Sequence, residues 1–139
     1  MKFYFAPNKI YFPYHTRIIG IENNPTPQSD YIFAINCNDF DVKFFHAQDC
    51  CEVIWLDEVI GDLNAIANTQ LRYIEITKST EYSISQPINR PYIQCDDGYY
   101  TDWTFYTIQT DKDAVTLRFC GETNSQYALD VDILIETKG

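Results

Sequence analysis

Glycine is scarce in this chain, with 5 in 139 residues, and methionine occurs once. Alanine and leucine are also few, so the usual material of long helices is missing. Basic residues are in deficit: 10 Lys and Arg face 20 Asp and Glu, a formal charge of −10. That balance disfavours non-specific attraction to DNA or RNA phosphates, so no direct nucleic-acid binding is expected and a basic or neutral partner surface is. No run approaches the roughly 20 apolar residues of a membrane span. The opening Met1-Lys2-Phe3-Tyr4-Phe5-Ala6-Pro7 has neither the long apolar core nor the small-residue cleavage site of a secretory signal. These absences lead us to expect a cytoplasmic protein with reduced thiols and no membrane contact. There is no glycine-rich phosphate loop and no serine or cysteine with an evident His–acid pair, so an enzyme is not expected.

What is abundant is aromatic: 16% of residues, with 11 Tyr and 9 Phe. Such a composition favours strands, and the length suits one core, so the expected fold is a single mainly β domain over 1–139. Residues 1–15 form an aromatic arm around Pro7 and Pro13 that reads as short extended pieces at a sheet edge. Thr16–Glu22 reads as the first clear strand. Tyr31, Phe33 and Ile35 alternate before Asn38-Asp39, and Val42–Phe45 returns as the second arm of a hairpin. The nearly continuous apolar run Val53–Val59 suits a central strand buried on both faces. A short helix is expected near 62–68, capped at Asp62, and Leu71–Thr77 is extended. Residues 78–100 form a long loop rich in Ser, Pro, Asn and Tyr, a length usually tied to function or mobility. Trp103–Ile108, Val115–Phe119 and Tyr127–Ile135 read as three antiparallel strands, turning at 111–113 and 121–125. The expected whole is an antiparallel meander forming a small barrel or sandwich, with at most one short helix.

Chemistry concentrates in His46-Ala47-Gln48-Asp49-Cys50-Cys51-Glu52, which places one of two histidines beside two adjacent cysteines. Imidazole and thiolate are the ligand types of tetrahedral zinc, which leads us to expect a structural zinc bound by His46, Cys50 and Cys51. The same residues also read as a packed loop, with small apolar cysteines and a hydrogen-bonded histidine. For the fourth ligand, the hairpin carries Cys37 about five residues, or ~17 Å, from His46. Cys95, in the long loop, is therefore preferred. Asp57, Glu58 and Asp62 resemble a carboxylate cluster but read better as a solvated rim. In the loop and just after it, Asp96, Asp97 and Asp102, with aromatic anchors at Tyr92, Tyr99, Tyr100 and Trp103, form the expected partner-binding set.

Thr16–Glu22, the Asp49-Cys50-Cys51-Glu52 to Gly61-Asp62-Leu63 stretch, Trp103-Thr104-Phe105-Tyr106 and Val115–Tyr127 together resemble a family of small phage and prophage proteins whose domain has no known function. The resemblance runs over roughly residues 16–136 and implies a small β domain of phage or prophage origin. A small acidic phage protein is also similar in type to anti-CRISPR inhibitors, among them zinc-containing inhibitors of type II-A Cas9, although shared origin does not fix function. The resembling domain family carries an aromatic residue where Cys120 stands here, which implies that Cys120 is a poorer fourth zinc ligand than Cys95. The expectation that follows is an anti-defence protein in the host cytoplasm that binds a nuclease such as Cas9 stoichiometrically through its acidic surface. The alternatives are a binder that sequesters a defence signalling nucleotide, which needs convergent arginines from Arg17, Arg72, Arg90 and Arg118, and a metal-dependent enzyme.

Overall fold

A computed structural model describes residues 2–24, 31–47, 52–79, 88–89, 100–123 and 129–138. The strands are β1 (Tyr4–Ala6), β2 (Lys9–Tyr11), β3 (Ile18–Asn23), β4 (Phe33–Cys37), β5 (Phe40–Phe45), β6 (Glu52–Ile60), β7 (Leu71–Ser79), β8 (Tyr100–Thr110), β9 (Ala114–Thr123) and β10 (Asp132–Thr137). They form two antiparallel sheets, one of six strands in the order β1-β2-β7-β8-β9-β6 and one of four in the order β10-β5-β4-β3. The sheets pack as a sandwich and do not close into a barrel. The one helix among the described residues, α1 (Leu63–Ile66), is a single turn. The Asp62 carboxylate accepts the Asn64 N–H at 2.9 Å, which caps the turn as expected. Gly61 precedes it at φ 114°, a conformation that favours glycine.

The core follows from alternation. On β4 and β5, Phe33, Ile35, Phe40, Val42 and Phe44 are all buried and turn toward the larger sheet. Phe44 stacks on Phe119 with centroids 5.9 Å apart and meets Tyr106 edge-on at 4.9 Å. Buried aromatic pairs of this kind add to area burial. The Tyr106 hydroxyl donates to the Val131 carbonyl, which satisfies the only polar atom this ring brings into the core. Burial pushes the Tyr106 phenol well up from its usual value, reinforced by Asp132 and Asp130. The hairpin read from the sequence is present, with Asn36 opposite Asp41. Residues 2–14 supply β1 and β2, the edge ribbon of the larger sheet.

Three elements depart from the sequence reading. Val53–Val59 belongs to β6, which is an edge strand, not a central one. It is apolar because both its faces are covered: Ile54, Leu56 and Val59 face the main core, while Val53 and Trp55 join a second cluster with Trp103, Phe105 and Cys120. Gly121-Glu122-Thr123 is not a turn but the end of β9. A Cβ at Gly121 would lie 2.5 Å from Ile54 Cδ1 and 2.9 Å from Leu129 Cβ, so this glycine serves close packing. The third strand of the expected meander, β10, leaves β9 and pairs with β5 in the other sheet, Ile133 opposite Phe44 and Ile135 opposite Val42. Its apolar residues find the four-stranded sheet because the edge of β9 is already taken by β6.

The weight of the inter-sheet aromatic cluster is testable by chemical denaturation. Phe44→Ala should lower the free energy of unfolding by about 3–5 kcal/mol, the range for a buried phenylalanine. Phe5→Ala, at a ring 65% exposed, should change it by less than about 0.5 kcal/mol.

Candidate functional site

The outer face of the larger sheet holds a buried carboxylate. The β6–β9 register slips between Leu56 and Glu58, so that Asp57 is the extra residue of a β-bulge beside Arg118. Asp57 has no exposed surface. A buried carboxylate must be compensated, and this one is crowded with donors. Arg118 Nη2 lies 2.7 Å from Oδ2, and Trp55 Nε1–H donates to Oδ1 at 2.9 Å. The backbone N–H of Ile88 reaches both oxygens, at 3.0 and 2.9 Å, and that of Asn89 donates at 2.8 Å. The Asn89 side-chain amide donates in turn to the Asp57 carbonyl at 2.7 Å. Burial alone pushes the Asp57 carboxyl up, but the donors of Ile88, Arg118, Trp55 and Asn89 outweigh it and hold it below the usual carboxylate range. The Arg118 guanidinium sits 4.4 Å over the Trp103 ring, a cation–π contact.

This arrangement fastens residues 88–89 of the long loop to β6. Asp57, Glu58 and Asp62 are not one carboxylate cluster, and the expected solvated rim does not hold for Asp57, which is the buried hub just described, while Asp62 caps α1. Trp103, expected as a partner anchor, is 5% exposed and already covered within the chain. The signal for the hub was present in the sequence as an acid inside an apolar run and an arginine inside an alternating strand, since charges in such places must be paired.

A second polar group lies at one end of the sandwich, on the core-facing side. His46 follows β5, and its ring is positioned by the Asp130 backbone, with Nδ1 2.6 Å from the Asp130 carbonyl oxygen. A carbonyl only accepts, so Nδ1 carries the proton. Nε2 lies 3.4 Å from Glu52 Oε2, and these two side chains are 6% and 0% exposed. Lys78 pairs with Asp130 at 2.7 Å nearby. Burial, then Asp130, raises the half-buried Asp102 carboxyl against the opposing pull of Lys78.

Of the expected zinc ligands, His46 is placed as above, while Cys50, Cys51 and Cys95 lie outside the described residues. Among the described residues, no three His, Cys, Asp or Glu side chains converge to hold a metal. Cys37 is buried in the main core, where burial first and Asp41 second push its thiol up to about 12. Of the expected partner-binding residues, Asp96, Asp97 and Tyr99, with Tyr92, also lie outside the described residues. Tyr100 opens β8 opposite Thr123, and Asp102 follows it opposite Gly121. No helix among the described residues is long and apolar enough to cross a membrane.

Because the Asp57 carboxyl is depressed in the folded protein, its stabilisation is present above the unfolded carboxylate value of about 3.9 and is lost as pH falls through the lower folded value. Asp57→Asn, which leaves Arg118 facing a neutral amide, should cost about 3–5 kcal/mol at neutral pH, the range for breaking a buried pair. Urea denaturation from pH 7 to pH 2 should show a shallower acid loss in this variant than in wild type.

No curated protein and no solved structure matches the chain. A family model described as a domain of unknown function, DUF7448, matches residues 15–133. The match starts after the β1–β2 ribbon and takes in both polar groups, from His46 and Glu52 to Asp57 and Arg118. The chain belongs to the DUF7448 family.

Proposed function

We propose that this protein is a phage or prophage anti-defence factor that binds a host protein stoichiometrically, with a guide-loaded nuclease such as Cas9 as the target. The observation that carries the reading is where the charge lies. Asp57 and Arg118 cancel one another inside the fold, so the whole net charge of −10 belongs to the rest of the molecule. A domain with that excess is drawn to a strongly positive surface, and a Cas9-type nuclease presents one along its nucleic-acid channel. Such association is fast, steered and sensitive to salt.

Binding is favoured over catalysis because the best-placed titratable pair, Asp57 with Arg118, is surrounded by hydrogen-bond donors and pins a loop. It is also favoured over nucleotide sequestration, since Arg118 is committed to Asp57 and Arg17 donates to the Asn68 carbonyl at 2.7 Å. In this reading the segment after Asn89, through Asp96, Asp97, Tyr99, Tyr100 and Asp102, makes the contact in the host cytoplasm. A structural zinc on His46, Cys50, Cys51 and Cys95 ties that segment to the sandwich, because metal binding is coupled to folding. His46 suits the role, with Nδ1 bound to a backbone carbonyl and Nε2 left as the ligand atom.

A DNA-cleavage assay tests the reading. Guide-loaded Cas9 should be inhibited at near-equimolar protein, and the inhibition should weaken as salt rises. Replacing Asp96, Asp97 and Asp102 together by Asn should relieve it without changing the melting temperature. Failure to co-elute with Cas9 at low salt would exclude this target, and a nucleotide released by heating the purified protein would favour sequestration instead.

A further inference from the structure

Charge is divided unevenly along this chain. All 20 acidic residues lie after Ile21, while Lys2, Lys9 and Arg17 lie before it, so the ribbon of β1 and β2 is basic on an otherwise acidic protein. Ile10 and Ile74 lie opposite each other and pack on the core, so their neighbours along β2 and β7 turn to the outer face. There Tyr4, Tyr11 and Tyr73 stand side by side across three strands, with ring centroids 5.9 and 5.6 Å apart. Lys9 sits 4.7 Å over the Tyr73 ring and 3.6 Å from Glu75, and exposed Arg72 adds a further cation next to Tyr73. The cross-strand contacts hold the rings in a row without covering them: Tyr4 is 70% exposed and Tyr11 37%. Exposed aromatic rings beside cations have the composition of an interface centre.

The other side of the sandwich offers the reverse chemistry. On the four-stranded sheet, Val42 and Phe44 face the core and pair with Ile135 and Ile133, so Asp41, Lys43, Asp132, Leu134 and Glu136 turn outward. Glu22 joins them from β3, opposite Ala34, which in turn lies opposite Lys43. Leu134 is 44% exposed at the centre of β10, between Asp132 and Glu136 on the same face. The cations of this face are already engaged, Lys43 with Glu136 at 2.9 Å and Lys138 with Asp41 at 3.5 Å. An exposed aliphatic side chain thus sits on a face with an excess of carboxylates.

We propose that the tyrosine ribbon of one molecule docks, head to tail, on the acidic outer face of the four-stranded sheet of a second copy of this chain. Charge selects this pairing. A ribbon against a ribbon would bring Lys2, Lys9 and Arg72 onto their own copies, and the acidic face against itself would do the same with carboxylates. The unlike faces instead combine apolar contact with opposite charge. They belong to opposite sides of the sandwich, so the contact repeats from one molecule to the next and does not close. Edge pairing through β1 is not the route, because that strand is three residues long and ends at Pro7. Net repulsion between two acidic copies is largely screened at about 0.15 M salt, where the Debye length is about 8 Å, whereas charges in contact are screened much less. The same excess of acid disfavours nucleic acid as the occupant.

Sedimentation velocity of the full chain at about 0.15 M salt tests the docking. Wild type should form dimers and then larger species as concentration rises. Tyr4→Glu and Leu134→Lys each change an exposed side chain, and each alone should weaken self-association about tenfold or more while circular dichroism stays that of wild type. An equimolar mixture of the two variants should form a one-to-one dimer and nothing larger, because one intact ribbon and one intact acidic face remain. Wild type that stays monomeric up to about 1 mM would overturn the inference without recourse to any variant. So would a mixture of the two folded variants that forms no dimer, or a dimer that both variants keep. A labelled single-stranded oligonucleotide bound by wild type and released by Tyr4→Glu would assign the ribbon to nucleic acid and overturn it as well.

Discussion

The Asp57 carboxylate is the constraint from which the outer face of this protein follows. A charge with no solvent exposure is tolerated only when donors replace the lost water, and Asp57 gathers them from three separate parts of the chain: Trp55 beside it, Arg118 on β9 and the backbone of Ile88 and Asn89. The β-bulge on β6 accommodates the residue, and the aromatic pair Trp55 and Trp103 keeps water from the ion pair. Such a pair adds little net stability compared with an apolar replacement, because desolvation offsets its attraction. Its value is directional: a carboxylate accepting two consecutive backbone N–H groups fixes where the chain passes, which apolar contact alone does not do.

The two polar groups occupy opposite sides of one sheet. Asp57, Arg118, Trp103 and Trp55 lie on the outer side, while His46 and Glu52 lie at the end of the core-facing side, near Lys78 and Asp130. Strand β6 contributes to both, with Glu52 at its start and Asp57 at its bulge. One edge strand thus connects the outer latch to the His46–Glu52 pair. In the proposed function the sandwich is a rigid support and the acidic excess the means of recognition.

Local features were legible in the sequence because their causes are local. The β4–β5 hairpin turns at Asn38-Asp39, Asp62 caps α1, and the alternation of Val115, Leu117 and Phe119 gives β9 its core face. Sheet membership was not legible, because nothing within Tyr127–Ile135 states whether it pairs with β9 or β5. That choice depends on β6 already occupying the β9 edge. Gly121 read as a turn because glycine commonly marks one, whereas here the close approach of Ile54 and Leu129 requires it. His46 was found through its chemistry. Arg118 was read only as a candidate nucleotide contact, because its partner Asp57 is remote in sequence and only the fold brings the two together.

The central claim, that Asp57 holds the loop through backbone donors, is tested most directly by native-state hydrogen exchange at the Ile88 and Asn89 amides. The account predicts that both amides are strongly protected in wild type and that Asp57→Asn, at a pH where it remains folded, loses at least tenfold of that protection while amides in the β4–β5 hairpin lose much less. Equal protection at Ile88 and Asn89 in the two proteins, or rapid exchange in wild type, would contradict it.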